Sequence, residues 1–164
     1  MKRIPRTDPR AAYMSSNEIV DRIGLAEHLA ERHHWVLATT RSDGRPQMSL
    51  VTGGMTSGGE LAISTYPERA KARNIRRNPR VSVAVMGDRF DDAWVQIDGD
   101  ARVVDLPEAL DGFVDYYRSI SGEHPNWDEY RQAMLDQGKC LIVVRPTRWS
   151  PVSRGGFPPS MFED

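Results

Sequence analysis

A run of cations with no acid among them sets the chemistry this sequence offers. After Glu68 come Arg69, Lys71, Arg73, Arg76, Arg77 and Arg80, and nothing acidic interrupts them. Just ahead stand Ser64, Thr65, Tyr66 and Pro67. Proline has no N–H to leave unsatisfied and suits the first turn of a helix, and the Thr65 hydroxyl is a capping group, so the order predicts a helix opening at Pro67. A helix start presents free backbone N–H groups and the positive end of the helix dipole. With Arg69 and Lys71 in or just after that turn, the segment is suited to hold a phosphate. A plain amphipathic helix would instead bury Ile75 and solvate the arginines. The hydroxyl-and-proline opening favours the anion site.

Such a helix start needs strands on either side to fix it. Glu60–Thr65 precedes it and Val81–Met86 follows, both rich in strand-forming residues. Upstream, Trp35–Thr40 is a strand, and Asp43-Gly44 is a turn pair that returns the chain into Pro46–Met55. Alternation puts Met48, Leu50 and Thr52 on one face of that strand and Gln47, Ser49 and Val51 on the other. A long strand from Trp94 to Val104 carries Asp98-Gly99-Asp100, where a bulge is expected. Cys140–Val144 is the most apolar strand of the chain. A sheet of this size can curl into a barrel. Helices are expected from the Ser15-x-x-Glu18 capping box to about Arg32, from Pro107 to about Ser119, and from Trp127 to Gln137, which Gly138 stops. Residues 1–14 read as an N-terminal arm or mobile tail, 15–150 as the domain, and 151–164 as a Pro/Gly-rich tail whose aromatic residues suggest docking.

A chain of 164 residues, 39% hydrophobic, is sized for one domain with a proper core. The net charge of -1 leaves no global field for nucleic acid or an anionic membrane, so the partner expected is a small molecule. Cys140 is the one cysteine, which excludes an intrachain disulfide, and it reads as a packed thiol. His33 and His34 lack any supporting ligand spacing, so no metal is expected. Met1–Arg10 has no apolar signal-peptide core, and no apolar run approaches the roughly 20 residues that span a bilayer, so the expected location is cytoplasmic.

The order of a helix, the Ala38-Thr39-Thr40…Asp43-Gly44-Arg45-Pro46-Gln47 strand pair, the Arg69-x-Lys71-x-x-Asn74-x-x-Arg77-x-Pro79-Arg80-Val81 run and Asp98-Gly99-Asp100-Ala101-Arg102 resembles the pyridoxamine-phosphate-oxidase-like split β-barrel family. Within it, the chain is most similar to the actinobacterial deazaflavin-dependent branch. The resemblance implies a mainly β (α+β) split barrel with short flanking helices, forming a homodimer with cofactor at the interface. It implies that Thr65, Arg69 and Lys71 hold the cofactor phosphate with Asn74 beside it, and that Ser64 lies beneath the phosphate or ribityl chain. Met48, Ser49 and Val51 would line the ring; apart from the resemblance, Trp149 stands among prolines that restrain the backbone, which suits it to cover the substrate side of the pocket. The implied activity is hydride transfer between coenzyme F-420 and a small unsaturated or quinone-like molecule, with no acid–base residue assigned. The alternatives are an FMN-dependent oxidoreductase and a flavin, deazaflavin or haem binding protein without turnover. The chain departs from pyridoxamine phosphate oxidases at its end, where Arg148-Trp149-Ser150-Pro151 stands in place of an Arg-Leu-x-Pro motif. Vitamin salvage is therefore not implied.

Overall fold

The structure is a computed structural model and describes residues 3–163. A 3₁₀ turn (Pro9–Tyr13) leads to strand β1 (Ser16–Glu18), helix α1 (Arg22–Leu29), and strands β2 (His34–Thr40), β3 (Pro46–Met55) and β4 (Leu61–Thr65). Helix α2 (Ala70–Arg77) follows, then strands β5 (Arg80–Met86) and β6 (Val95–Val104), and helices α3 (Leu110–Ser121) and α4 (Trp127–Gln137). Strands β7 (Cys140–Trp149) and β8 (Val152–Arg154) and a last 3₁₀ turn (Pro159–Met161) complete it. Six strands close an antiparallel barrel in the order β2-β3-β4-β7-β6-β5, with β2 pairing back onto β5. This is the split barrel that the sequence implies.

Strand alternation builds the barrel's interior. Trp35 and Leu37 from β2, Leu61 and Ile63 from β4, Val83 and Val85 from β5, and Ile142 and Val144 from β7 all point inward and are buried. A second core lies outside the barrel wall, where α3 and α4 bring Phe113, Tyr130 and Met134 onto Ala62, Leu141 and Val143. The β7 strand is therefore buried on both faces over Leu141–Val144, which explains its unbroken apolar run. The bulge expected at Asp98-Gly99 is present as a register shift between β6 and β7.

Several boundaries differ from the sequence expectation. Helix α1 starts at Asp21, whose carboxylate accepts the Gly24 N–H at 2.9 Å, and not at the Ser15 capping box. Residues Ser16–Glu18 are extended because Val152–Arg154 pairs with them, a long-range contact that no local pattern announces. Helix α2 starts later than Pro67. Residues 66–69 form a turn closed by the Arg69 N–H on the Tyr66 carbonyl at 3.1 Å, so Pro67 serves the turn, and Arg69 is the last extended residue before the helix. Helix α3 likewise begins at Leu110, beyond Pro107, and β7 runs on past Val144 to Trp149 by setting Pro146 opposite Gly99 at the bulge. Nor do the described residues of the N-terminal arm hang free. Ile4 is buried, donating to the Met161 carbonyl at 2.8 Å and accepting from the Glu163 N–H at 2.9 Å. Residues 1, 2 and 164 of the arm and tail lie outside the described residues.

Candidate functional site

The barrel splits between β3 and β4. Only the last part of β3 pairs with β4, in the register Gly53–Ile63, Gly54–Ala62 and Met55–Leu61. Upstream of Gly53, β3 keeps β2 along one edge, from Thr52 opposite His34 to Pro46 opposite Thr40, and has no strand on the other. Continuing the β4 register would set Ser64 across from Thr52 and Thr65 across from Val51. Instead the strands part, and α2 leaves the end of β4 to bury Ala72 and Ile75 against the barrel.

A chain of polar contacts ties α2 to the inner face of β3 across this gap. The buried Asn74 amide donates to the Thr39 hydroxyl at 3.0 Å, Thr39 donates to Gln47 Oε1 at 3.1 Å, and Gln47 Nε2 donates to Ser49 Oγ at 2.9 Å. The Arg77 guanidinium donates in turn to Asn74 Oδ1. Each buried polar atom has a partner, so the chain fixes Ser49 relative to the helix rather than merely filling space.

The start of α2 is rich in uncompensated positive charge. No side chain caps it, which leaves the N–H groups of its first turn without intrahelical partners. Several arginines elsewhere are neutralised, as Arg76 is by Asp105 at 2.8 Å and Arg102 by Glu60 at 2.8 Å. Among the described residues Arg69, Lys71, Arg73 and Lys139 make no ion pair. Arg69 and Lys139 each stand 5.9 Å from the Tyr66 ring centroid. Lys71 is half-buried, and that burial, with the Arg69 charge second, holds its ammonium below the usual lysine value. Beside it the Cys140 thiol is pushed up to about 11, chiefly by burial, so it is a packed thiol at neutral pH.

Of the residues singled out from sequence, Ser49, Val51, Thr65, Lys71 and Asn74 face the interior or the split, and Arg69 stands exposed at its rim. Met48 is on the outer face, 67% exposed. Ser64, one residue from Thr65, points to the opposite side, toward α3. Trp149 is not brought to the site in its own chain. Cys140 pairs with Thr65 and β7 is ten residues long, so Trp149 lies at the opposite end of the strand, at most roughly 30 Å from Thr65 at about 3.3 Å per residue. Its indole donates to the Val20 carbonyl at 2.9 Å, and Arg22 lies over its ring. Thr39, Gln47, Tyr116 and Lys139 escaped the sequence reading. For Thr39 and Gln47 a signal existed, since both fall on the inward alternation of paired strands.

Comparison with known proteins decides the family. The pyridoxamine 5'-phosphate oxidase model matches residues 24–153. The chain belongs to the pyridoxamine 5'-phosphate oxidase family. Among solved members of this fold, a conserved hypothetical protein from Mycobacterium tuberculosis superposes with a TM-score of 0.69 at 24% identity, covering 85% of this chain and 88% of that one. An F420 reductase gives 0.55 at 28% identity over 76% of this chain and 94% of its own. A haem binding protein from Mycobacterium smegmatis gives 0.60 at 21% identity, over 85% of this chain and 56% of that one. Among the described residues no three His, Cys, Asp or Glu side chains gather as metal ligands, and no helix is long and apolar enough to cross a membrane.

Proposed function

We propose that this protein is an oxidoreductase that holds coenzyme F-420, a deazaflavin, in the split beside α2 and serves hydride transfer to a small unsaturated or quinone-like molecule. The observation that carries the reading is Lys71: a half-buried cation with no anionic partner, beside an uncapped helix start and three further unpaired cations. Burying such a charge is costly unless something anionic meets it. A phosphate does so, and Thr65, Arg69 and Lys71 would hold it, with Asn74 beside it. Ser49 and Val51, which face the split, would orient the ring. The excess of cations suits the carboxylates that continue beyond the phosphate in a deazaflavin better than it suits FMN, and the F420 reductase at 28% identity supports the same choice. The bound cofactor supplies the hydride chemistry; the chain supplies binding, orientation and exclusion of water. A homodimer in the cytoplasm is part of this proposal, because β2, β3 and β5 expose an apolar outer face with Leu50 87% and Met48 67% accessible.

Titration tests it. Lys71→Ala should weaken cofactor binding by about 1.5–3 kcal/mol, roughly 10- to 150-fold, the worth of a hydrogen bond to a charged group. Unchanged affinity for both F-420 and FMN would remove the phosphate from this helix. Tighter binding of FMN than of F-420, or a haem Soret band in the purified protein, would replace the deazaflavin.

A further inference from the structure

The vertex of the split is occupied by a side chain. Tyr116, on α3, donates its hydroxyl to the Thr52 carbonyl at 3.1 Å. Thr52 and Ser64 are the residues that would form the next pair of the β3–β4 ladder after Gly53 and Ile63, and they do not pair. The Ser64 backbone N–H acts on the same phenol oxygen and favours its charged form, against the burial that raises its pKa. The hydroxyl thus bonds one of the two main-chain groups orphaned where the strands diverge and lies beside the other.

Helix α3 reaches this seam because β3 carries Gly54 there. A Cβ on Gly54 would lie 2.1 Å from Ser119 Oγ and 3.0 Å from Ile120 on α3, and one on Gly53 would lie 2.0 Å from the Trp35 ring inside the barrel. With no Cβ on Gly54, the helix lies directly on the strand pair.

We infer that Tyr116 is a positioning residue that holds the β3–β4 split open, its hydroxyl inserted between the Thr52 carbonyl and the Ser64 amide so that Val51 and Thr65 face one another across a ligand-sized gap. A main-chain carbonyl and amide facing each other at ladder register would otherwise pair, as the adjoining residues of the two strands do. The ladder would zip two residues further and narrow the cleft. Tyr116 touches neither cofactor nor substrate in this account; it sets the distance between the two walls that do. The inference rests on the proposed cofactor site, and its main readout does not.

The test is Tyr116→Phe, with Ser119→Ala as control, since the Ser119 hydroxyl bonds only its own helix, at the Tyr116 carbonyl. Amide hydrogen exchange at Ser64 and at Ala62, which is already paired, is followed by NMR in the protein without ligand, and affinity for F-420 and FMN is measured beside it. Tyr116→Phe should slow Ser64 exchange at least fivefold while Ala62 stays within twofold, and should raise the Kd of whichever cofactor binds about tenfold. Ser119→Ala should do neither. Unchanged or faster Ser64 exchange, equal effects in both variants, or loss of the fold in Tyr116→Phe would each overturn the assignment, the last by making the hydroxyl a requirement of the barrel itself. If the parent protein binds neither cofactor, the cofactor proposal falls while the exchange result still decides the role of Tyr116.

Discussion

Replacing Asn74 by alanine tests whether the polar chain beneath the site is a structural tie. Asn74 is 5% exposed, and the change removes its bonds to the Thr39 hydroxyl at 3.0 Å and from Arg77. A neutral bond is worth about 1 kcal/mol and one to a charged group about 1.5–3 kcal/mol. Arg77 is exposed, so water replaces part of the second, and the expected loss is about 2–3 kcal/mol. In a chain of 164 residues each kcal/mol moves Tm by about 2–4 °C, which gives a fall of roughly 4–12 °C by circular dichroism. A double-mutant cycle with Thr39→Val should return a coupling of about 1 kcal/mol, because the two side chains share one bond. A Tm within about 2 °C of the parent, or strict additivity in the cycle, would show that the chain of contacts ties nothing together.

Lys71 carries a pH signature. Its folded pKa lies below the ordinary 10.5, so between the two values the unfolded chain binds more protons and stability rises with pH across that window. Without ligand, Lys71→Met should lose that rise and melt no lower than the parent at pH 7, which a Tm series from pH 7 to 10 checks. Gly54→Ala should cost about 1–3 kcal/mol in urea unfolding by driving a Cβ into Ser119, and adding Ser119→Ala should restore part of it. Cys140, fully buried with its pKa pushed up to about 11, should resist iodoacetamide at pH 8 in the folded protein and react once urea unfolds it. Leu50→Lys on the outer face should shift the light-scattering mass from dimer to monomer at micromolar concentration, and a parent that is itself a monomer would refute the dimer.

The barrel was legible because alternation and turn chemistry are local. Trp35–Thr40, the Asp43-Gly44 turn and the Pro46–Met55 return follow one another within the span that a period-2 pattern can report. The same holds for the cation run, whose residue types alone point to an anion. The helix start was misplaced because Pro67 serves equally well in a turn and in a first helical turn, and only the Tyr66–Arg69 hydrogen bond separates the two. Ser15-x-x-Glu18 misled in the same manner: a capping box is a local preference, and pairing with Val152–Arg154 overrode it from the far end of the chain. Tyr116 could not be found at all, since its role exists only where α3 meets two strands more than fifty residues upstream. Trp149 drew attention as an aromatic among prolines, yet the length of β7 carries it away from the site within its own chain.

The clasp between the two ends of the described chain offers a handle on the molecule. Ile4 is hydrogen-bonded to both Met161 and Glu163, and β1 lies against β8, so residues 3 and 163 emerge side by side. A short peptide bridging them would change little geometry, and the ring so formed could be reopened at the exposed Ser42–Arg45 turn to give a circular permutant with the same barrel. Because β8 follows the Trp149 end of β7, opposite Cys140 and Thr65, a surface tether attached at the clasp would grip the protein by the far end of the barrel and leave the split facing solution.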